Sequence, residues 1–211
     1  MKNDVLGLYK EYFIDREFER LDVFQILQEK YQIKSAIYPG SFVHVSPAFV
    51  YPMTTYIDSD KKAEKFFNHV KFAEFIKSRK QYSQEAVVTF YPNDYRKPIA
   101  EEHEKYDLLI SQYAGFVSLH CKEYLKPDGI LWANNSHGDA GLASIDEDYE
   151  FVAVIQKSGG KHRWSNQKLA EYFVPKKETE ITKENLEKIG KGIGYKKTAS
   201  SYLFRRVRWK N

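Results

Sequence analysis

The stretch "SAIYPGSFVHVSPAFVYPMTTYIDSD", residues 35–60, decides the fold. Ile33 to Tyr38 is short, β-branched and aromatic, and it closes on Pro39-Gly40, which reads as a buried strand entering a tight turn. Thr54 to Asp58 is a second run of the same kind, ending on a carboxylate. Directly after it, Ala63, Phe66, Phe67, Val70, Ala73 and Ile76 recur at helical spacing, with Asp60 placed to cap the helix. The stretch therefore predicts strand, turn, strand and crossover helix.

The alternation extends in both directions. Upstream, Phe18, Leu21, Phe24, Leu27 and Tyr31 mark one face of an amphipathic helix within 16–31, so that 1–31 forms an N-terminal helical segment. Downstream, Ala86–Phe90 and Tyr106–Ser111 read as strands, GFVSLHCKEYL as a helix, Lys126-Pro127-Asp128-Gly129 as a turn and Ile130–Ala133 as a fifth strand. Repeated strand–helix–strand units with short apolar strands predict a doubly wound α/β fold, mostly parallel, with helices on both faces. The last third differs. Tyr149–Ile155 and Ser201–Trp209 are expected to pair as an antiparallel edge, joined by a 156–200 connector that carries a helix near Asn166–Phe173 and a charged loop. At 211 residues the chain is expected to be one domain, 1–211.

Composition narrows the classes. With 42% hydrophobic and 16% aromatic residues the chain can bury a ring-rich core. One cysteine, Cys121, excludes an internal disulfide and a cysteine-based zinc cluster, and the six histidines show no ligand spacing, so no metal is expected. The charged N-terminus lacks the pattern of a signal or transit peptide, and no apolar run approaches a membrane span, so the expected location is cytoplasmic. No Gly-x-Ser-x-Gly elbow and no P-loop spacing occur. A net charge of +4 is far from that of a dedicated nucleic-acid binder. On the C-terminal strand Arg206 and Arg208 share a face, whereas Arg205 falls with Leu203, Val207 and Trp209, where it is expected to be packed and paired. Weak, non-specific nucleic-acid affinity is the most this pattern supports.

In open α/β sheets ligands bind beyond the carboxyl ends of the strands, and that is where the special residues fall. Gly40 lets backbone approach a ligand, and Pro39 fixes the turn. Asp58 follows Gly40 by eighteen residues, close to the spacing at which a carboxylate accepts the hydroxyls of a ribose. Asp94 after the third strand could accept from an exocyclic amine, and Gln112-Tyr113 follows the fourth. Each has a plainer reading: Asp58 and Asp60 as helix caps, Pro39-Gly40 as a structural turn, His44 and His137 as solvated loop residues. Gly190-Lys191-Gly192-Ile193-Gly194 follows a charged helical stretch, which makes it a helix stop and loop.

Through Tyr38-Pro39-Gly40-Ser41, the strand end Tyr56-Ile57-Asp58, the strand Tyr106-Asp107-Leu108-Leu109-Ile110-Ser111 and the turn Leu125-Lys126-Pro127-Asp128-Gly129, the sequence resembles the class I S-adenosylmethionine-dependent methyltransferases. The resemblance spans roughly residues 20–155 in element order. It implies a seven-stranded sheet with one reversed strand and S-adenosyl-L-methionine as cofactor. By position, Tyr38, Pro39, Gly40 and Ser41 would line the methionine end, Asp58 the ribose, Asp94 the adenine, and Gln112 the same cleft. The family's Gly-x-Gly-x-Gly loop is here a single glycine followed by Phe42-Val43-His44-Val45. The run Ser111-Gln112-Tyr113-Ala114 lacks the Asn/Asp-Pro-Pro-Tyr/Phe motif of base-methylating members, which leaves a small molecule or a protein as the implied acceptor. No catalytic base is identifiable. A non-catalytic interaction module on the same fold is the alternative, motivated by the missing glycines.

Overall fold

Strand β1 (Ser35–Pro39) is buried along its whole length, as a strand covered on both faces must be. The computed structural model describes residues 6–177 and 181–207. The chain divides at Ile99/Ala100 into two compact units.

In the first unit β1 pairs in parallel with β2 (Met53–Ile57), and β2 with β3 (Val87–Tyr91). Around them lie α1 (Gly7–Tyr9), a π-helical turn at Lys10–Ile14, α2 (Leu21–Tyr31), α3 (Pro47–Val50), α4 (Lys61–Phe67) and α5 (Phe72–Arg79). The expected 16–31 helix starts only at Leu21, because Arg20 is left-handed (φ 55°). The crossover helix is broken between α4 and α5, which turns Val70 out of the apolar stripe to 93% exposure. Asp60 caps α4 as expected, accepting the Lys62 N–H at 2.6 Å. The core of this unit is ring on ring: Phe67 stacks on Phe90 at 4.2 Å, and Tyr9, Phe49, Phe66 and Phe75 meet edge to face.

The second unit orders its strands β4-β5-β8-β6-β7. β4 (Tyr106–Ser111) and β5 (Leu125–Ala133) are parallel, whereas β8 (Ser201–Arg206) runs antiparallel to both β5 and β6 (Tyr149–Ser158). The expected antiparallel pairing of the last two long runs is therefore present. β7 (Lys161–Ser165) closes a hairpin on β6 and brings the strand count among the described residues to eight where seven were expected. The hairpin turns at Gly159-Gly160, both at positive φ. Helices in this unit are short: α6 (Val117–His120), α7 (Asp139–Ala143) and α8 (Lys183–Ile189). The expected helix near Asn166–Phe173 is one 3₁₀ turn, Leu169–Glu171. α8 lies in the charged stretch, capped by Thr182 and stopped by Gly190 at φ 64°.

Arg205 pairs with a carboxylate as expected, Glu150 at 3.7 Å, but is exposed where packing was expected. Arg206 is the more sheltered of the two, donating to the Leu125 carbonyl and lying 3.4 Å from Glu104. Its partners on neighbouring backbone and the Glu104 carboxylate hold the guanidinium in place. Arg208 and Trp209 lie outside the described residues.

Candidate functional site

The turn after β1 is organised by two backbone positions and one carboxylate. Gly40, at φ 66°, donates its N–H to the Ile57 carbonyl at 2.7 Å, tying the end of β1 to the end of β2. Phe42 is also left-handed, at φ 49°, a conformation disfavoured by its Cβ and ordinarily given to glycine. Its N–H donates to Asp58 Oδ2 at 2.6 Å, and the Asp60 N–H donates to Oδ1 at 2.8 Å. The charge-assisted bond to Asp58 is what holds a non-glycine residue there.

Asp58 thus joins the loop after β1 to the N-terminus of α4. A carboxylate offers about four lone-pair directions, and two amides use two of them, so a vicinal diol can still be accepted. Asp58 is half-buried. Tyr38 is buried, with its hydroxyl 3.2 Å from His44 Nδ1, and buried Ser41 donates to the Phe42 carbonyl at 3.3 Å. Tyr38, Pro39, Gly40, Ser41 and Asp58 are therefore gathered around one turn. Asp94 sits on its own loop, where Arg96 Nε reaches both carboxylate oxygens at 2.9 and 3.0 Å. Hydrogen bonding to Arg96 draws the Asp94 carboxyl down to about 2. In the second unit, Gln112 is buried, with its amide donating to the Trp132 carbonyl at 3.3 Å and accepting from Asn134 at 3.3 Å.

His44 corrects an expectation, since it is 2% exposed and not a solvated loop residue. Its ring stacks on Phe13 at 4.3 Å, and Nε2 lies 3.1 Å from the Glu19 carbonyl. Burial drives its pKa down to about 3. The same N-terminal segment is pinned by Tyr9, whose hydroxyl donates to Glu19 Oε1 at 2.5 Å and lies 2.8 Å from Ser46 Oγ. Arg79 reaches that Glu19 oxygen at 2.7 Å. Neutral His44 should show ring chemical shifts that do not titrate between pH 5 and 8; an inflection near the ordinary histidine value of about 6.5 would place the ring in solvent.

Asp139, the first residue of α7, gave no signal in the sequence beyond a polar loop. It is 2% exposed and accepts hydrogen bonds from Ser111 Oγ, from Ser118 Oγ at 2.5 Å and from the Ser118 N–H at 3.1 Å. Burial raises its carboxyl to about 6 despite those donors. Its folded form keeps a proton to higher pH than the unfolded chain does, so its contribution to stability falls as pH rises from about 4 to 6. His44 has the opposite sign: its contribution is complete above about 6.5 and is lost as pH falls toward 3. The two oppose each other over the shared window. Asp139→Asn should therefore steepen the loss of stability on acidification by about one proton, read from denaturant midpoints between pH 4.5 and 6.5. Equal slopes in wild type and variant would contradict the assignment.

Among the described residues no cluster of histidine, cysteine, aspartate or glutamate could hold a metal ion, and no helix is long and apolar enough to cross a membrane.

No protein-family model matches the chain, and no curated protein matches it in sequence. Among solved structures, a candidate O-methyltransferase from Klebsiella pneumoniae is similar, with a TM-score of 0.54 at 11% identity over 99% of this chain and 92% of that one. An N-methyltransferase from Bradyrhizobium japonicum matches with a TM-score of 0.47 at 13% identity, over 94% of this chain and 99% of that one. A candidate S-adenosyl-L-methionine-dependent methyltransferase from Methanococcus maripaludis matches with a TM-score of 0.44 at 12% identity. That match covers 61% of this chain and 60% of the other, so this chain spans less than two thirds of that protein. The Klebsiella match gives the fold: the chain has the α/β architecture of the class I methyltransferases.

Proposed function

We propose that the chain is an S-adenosylmethionine-dependent methyltransferase built on a single domain, 1–211, acting on a small molecule or a protein. The observation that carries this reading is the Gly40–Phe42–Asp58 turn, in which a carboxylate at the end of β2 is held by two backbone amides with its remaining lone pairs able to accept a ribose diol. The near-complete coverage of this chain by the Klebsiella structure supports the single domain.

S-adenosylmethionine, when bound, supplies an electrophilic methyl group on a sulfonium. The residues of this chain would supply position. Asp58 would accept the ribose hydroxyls, the Tyr38–Ser41 turn would line the methionine end, and Asp94 would accept from the adenine amine. Gln112 would fix the end of β4 through its own amide bonds. Holding donor and acceptor in line can provide much of the acceleration, and a general base is required only for a protonated acceptor. Buried, neutral His44 is engaged at both ring nitrogens and is not offered as that base.

A carboxylate that binds ribose would also suit other nucleotides, so the test compares ligands. S-adenosylhomocysteine should raise the melting temperature, whereas NAD and ATP at equal concentration should not; ligand at a hundred times its Kd contributes about 2.7 kcal/mol. A shift with NAD alone would overturn the reading.

A second reading, a non-catalytic interaction module on this fold, is favoured by one observation: Arg96 already engages the Asp94 carboxylate. The two readings separate on Arg96→Ala. If Asp94 serves the adenine, the variant should bind S-adenosylhomocysteine a few-fold more tightly, and a module that binds no cofactor should give no signal in either form.

A further inference from the structure

β7 is the strand that takes the sheet beyond the seven implied by the resemblance, and the cofactor reading gives it no task. β6 pairs with β8 only as far as Ile155, and with β7 from Val154 to Ser158. Beyond Ile155 the β6–β7 ribbon therefore has no third strand and projects from the sheet edge as a two-stranded arm. Its tip is the Gly159-Gly160 turn, and its base is fixed by the Gln156 amide, which donates to the Tyr172 hydroxyl at 2.6 Å.

The arm is basic. No aspartate or glutamate occurs from Phe151 to Ala170, whereas Lys157, Lys161, Arg163 and Lys168 do. The whole chain has 33 lysines and arginines against 29 aspartates and glutamates, so without these four its charges cancel. The net positive charge thus belongs to one short stretch. Lys157, Lys161 and Arg163 are exposed, and among the described residues none of the three forms an ion pair. The acids that bracket the stretch are engaged elsewhere, Glu150 lying 3.7 Å from Arg205 and Glu171 2.8 Å from Lys197. Charge on an edge strand also deters pairing with other strands, but that purpose concerns β7 alone and leaves Lys157 of β6 without a reason.

The register sets Lys157 across from His162, and Ser158 and Gln156 across from Lys161 and Arg163. Because side chains alternate along a strand, Lys161 and Arg163 share one face of the ribbon, about 7 Å apart, and Lys157 stands on the other. A flat anionic surface meets only one face of such a ribbon. A groove walled by phosphates on both sides meets both, and the major groove of B-form DNA is wide enough to admit a two-stranded ribbon. The deep, narrow major groove of an RNA duplex is not.

We propose that the β6–β7 hairpin is a DNA-binding arm that enters the major groove of a duplex and reaches phosphates on both walls, with Lys157 on one side and Lys161 and Arg163 on the other. The contacts are to phosphate, so binding is independent of base sequence, and three contacts keep it weak. The arm relocates the weak affinity expected of the C-terminal strand, where Arg205 and Arg206 already lie beside Glu150 and Glu104. It belongs to the second unit and needs no cofactor, so it stands apart from the methyltransferase reading.

The test is fluorescence anisotropy of a labelled DNA duplex, titrated with the full chain in the absence of S-adenosylhomocysteine. Three phosphate contacts predict a slope of about −2.7 in log K against log salt, a loss of affinity of about fortyfold between about 50 and 200 mM. Lys157→Gln and Arg163→Gln, on opposite faces, should each flatten that slope by about one unit. Lys77→Gln removes the same charge from an exposed position in the first unit and should leave the slope unchanged. Wild-type slopes in both arm variants would overturn the arm, and an effect confined to one of them would overturn the two-sided grip. Duplex RNA bound as tightly as DNA would overturn the groove assignment. Arm-dependent binding to phosphatidylserine vesicles, with none to DNA, would replace DNA by a membrane surface as the partner.

Discussion

Replacing Asp58 by alanine is expected to weaken S-adenosylhomocysteine binding about ten- to a hundredfold, through loss of charge-assisted bonds worth roughly 1.5–3 kcal/mol. Two losses combine. The ribose would lose its acceptor, and the Phe42 and Asp60 amides would lose theirs, releasing the turn after β1 from its left-handed geometry. The control is Asp60→Ala. That residue caps α4 through the Lys62 amide, so its removal should cost about 1 kcal/mol of stability and leave affinity unchanged. Calorimetric titration of both variants decides the matter: equal affinities for Asp58→Ala and wild type would return Asp58 to the role of a turn anchor.

The second large effect is expected at Gly192. A Cβ built there would stand 1.9 Å from the Asn135 carbonyl oxygen and 2.5 Å from its side-chain nitrogen, closer than atoms can approach. The loop after α8 is laid against the loop after β5, with the Gly192 N–H donating to the Ser136 carbonyl at 3.2 Å and Asn135 donating to the Ile193 carbonyl at 3.1 Å. Gly192→Ala must push the two backbones apart, at a cost of about 2–3 kcal/mol. Gly190→Ala is the contrast: nothing lies within 4 Å of its would-be Cβ, so only the left-handed φ of 64° opposes it. Denaturant melts should rank Gly192→Ala well below Gly190→Ala, and the reverse order would show that the loop does not pack as described.

These glycines show where the sequence was legible and where it was not. Gly190 reads as a helix stop because capping is a local property of the chain, and it does end α8. Gly192 carries no local signal, since its reason lies in Asn135, far along the chain. The same division runs through the fold. β1, β2 and β4 were readable because each is a short run of apolar and β-branched residues buried along nearly its whole length, and β3, only partly covered, was readable from its β-branched and aromatic residues. β7 was not, because Lys-His-Arg-Trp-Ser is polar enough for a loop and becomes a strand only by pairing with β6.

The candidate site divides similarly. The position of Asp58, at the end of β2 beside the Gly40 turn, was readable from its spacing to Gly40 and from the strand that it ends. Phe42 could not be read as a substitute for a glycine, because the left-handed backbone is stabilised by a hydrogen bond to a residue in another element. His44 looked exposed in sequence because the ring of Phe13 that covers it belongs to a π-helical turn no periodicity announces. Asp139 was lost in a polar loop, since its burial depends on two serines from β4 and α6.

The most direct test of the central claim is calorimetric titration of the full chain with S-adenosylhomocysteine at neutral pH. One-to-one binding with a Kd in roughly the micromolar range is the predicted result. No heat of binding up to millimolar ligand, in a sample whose melting is cooperative, would contradict it.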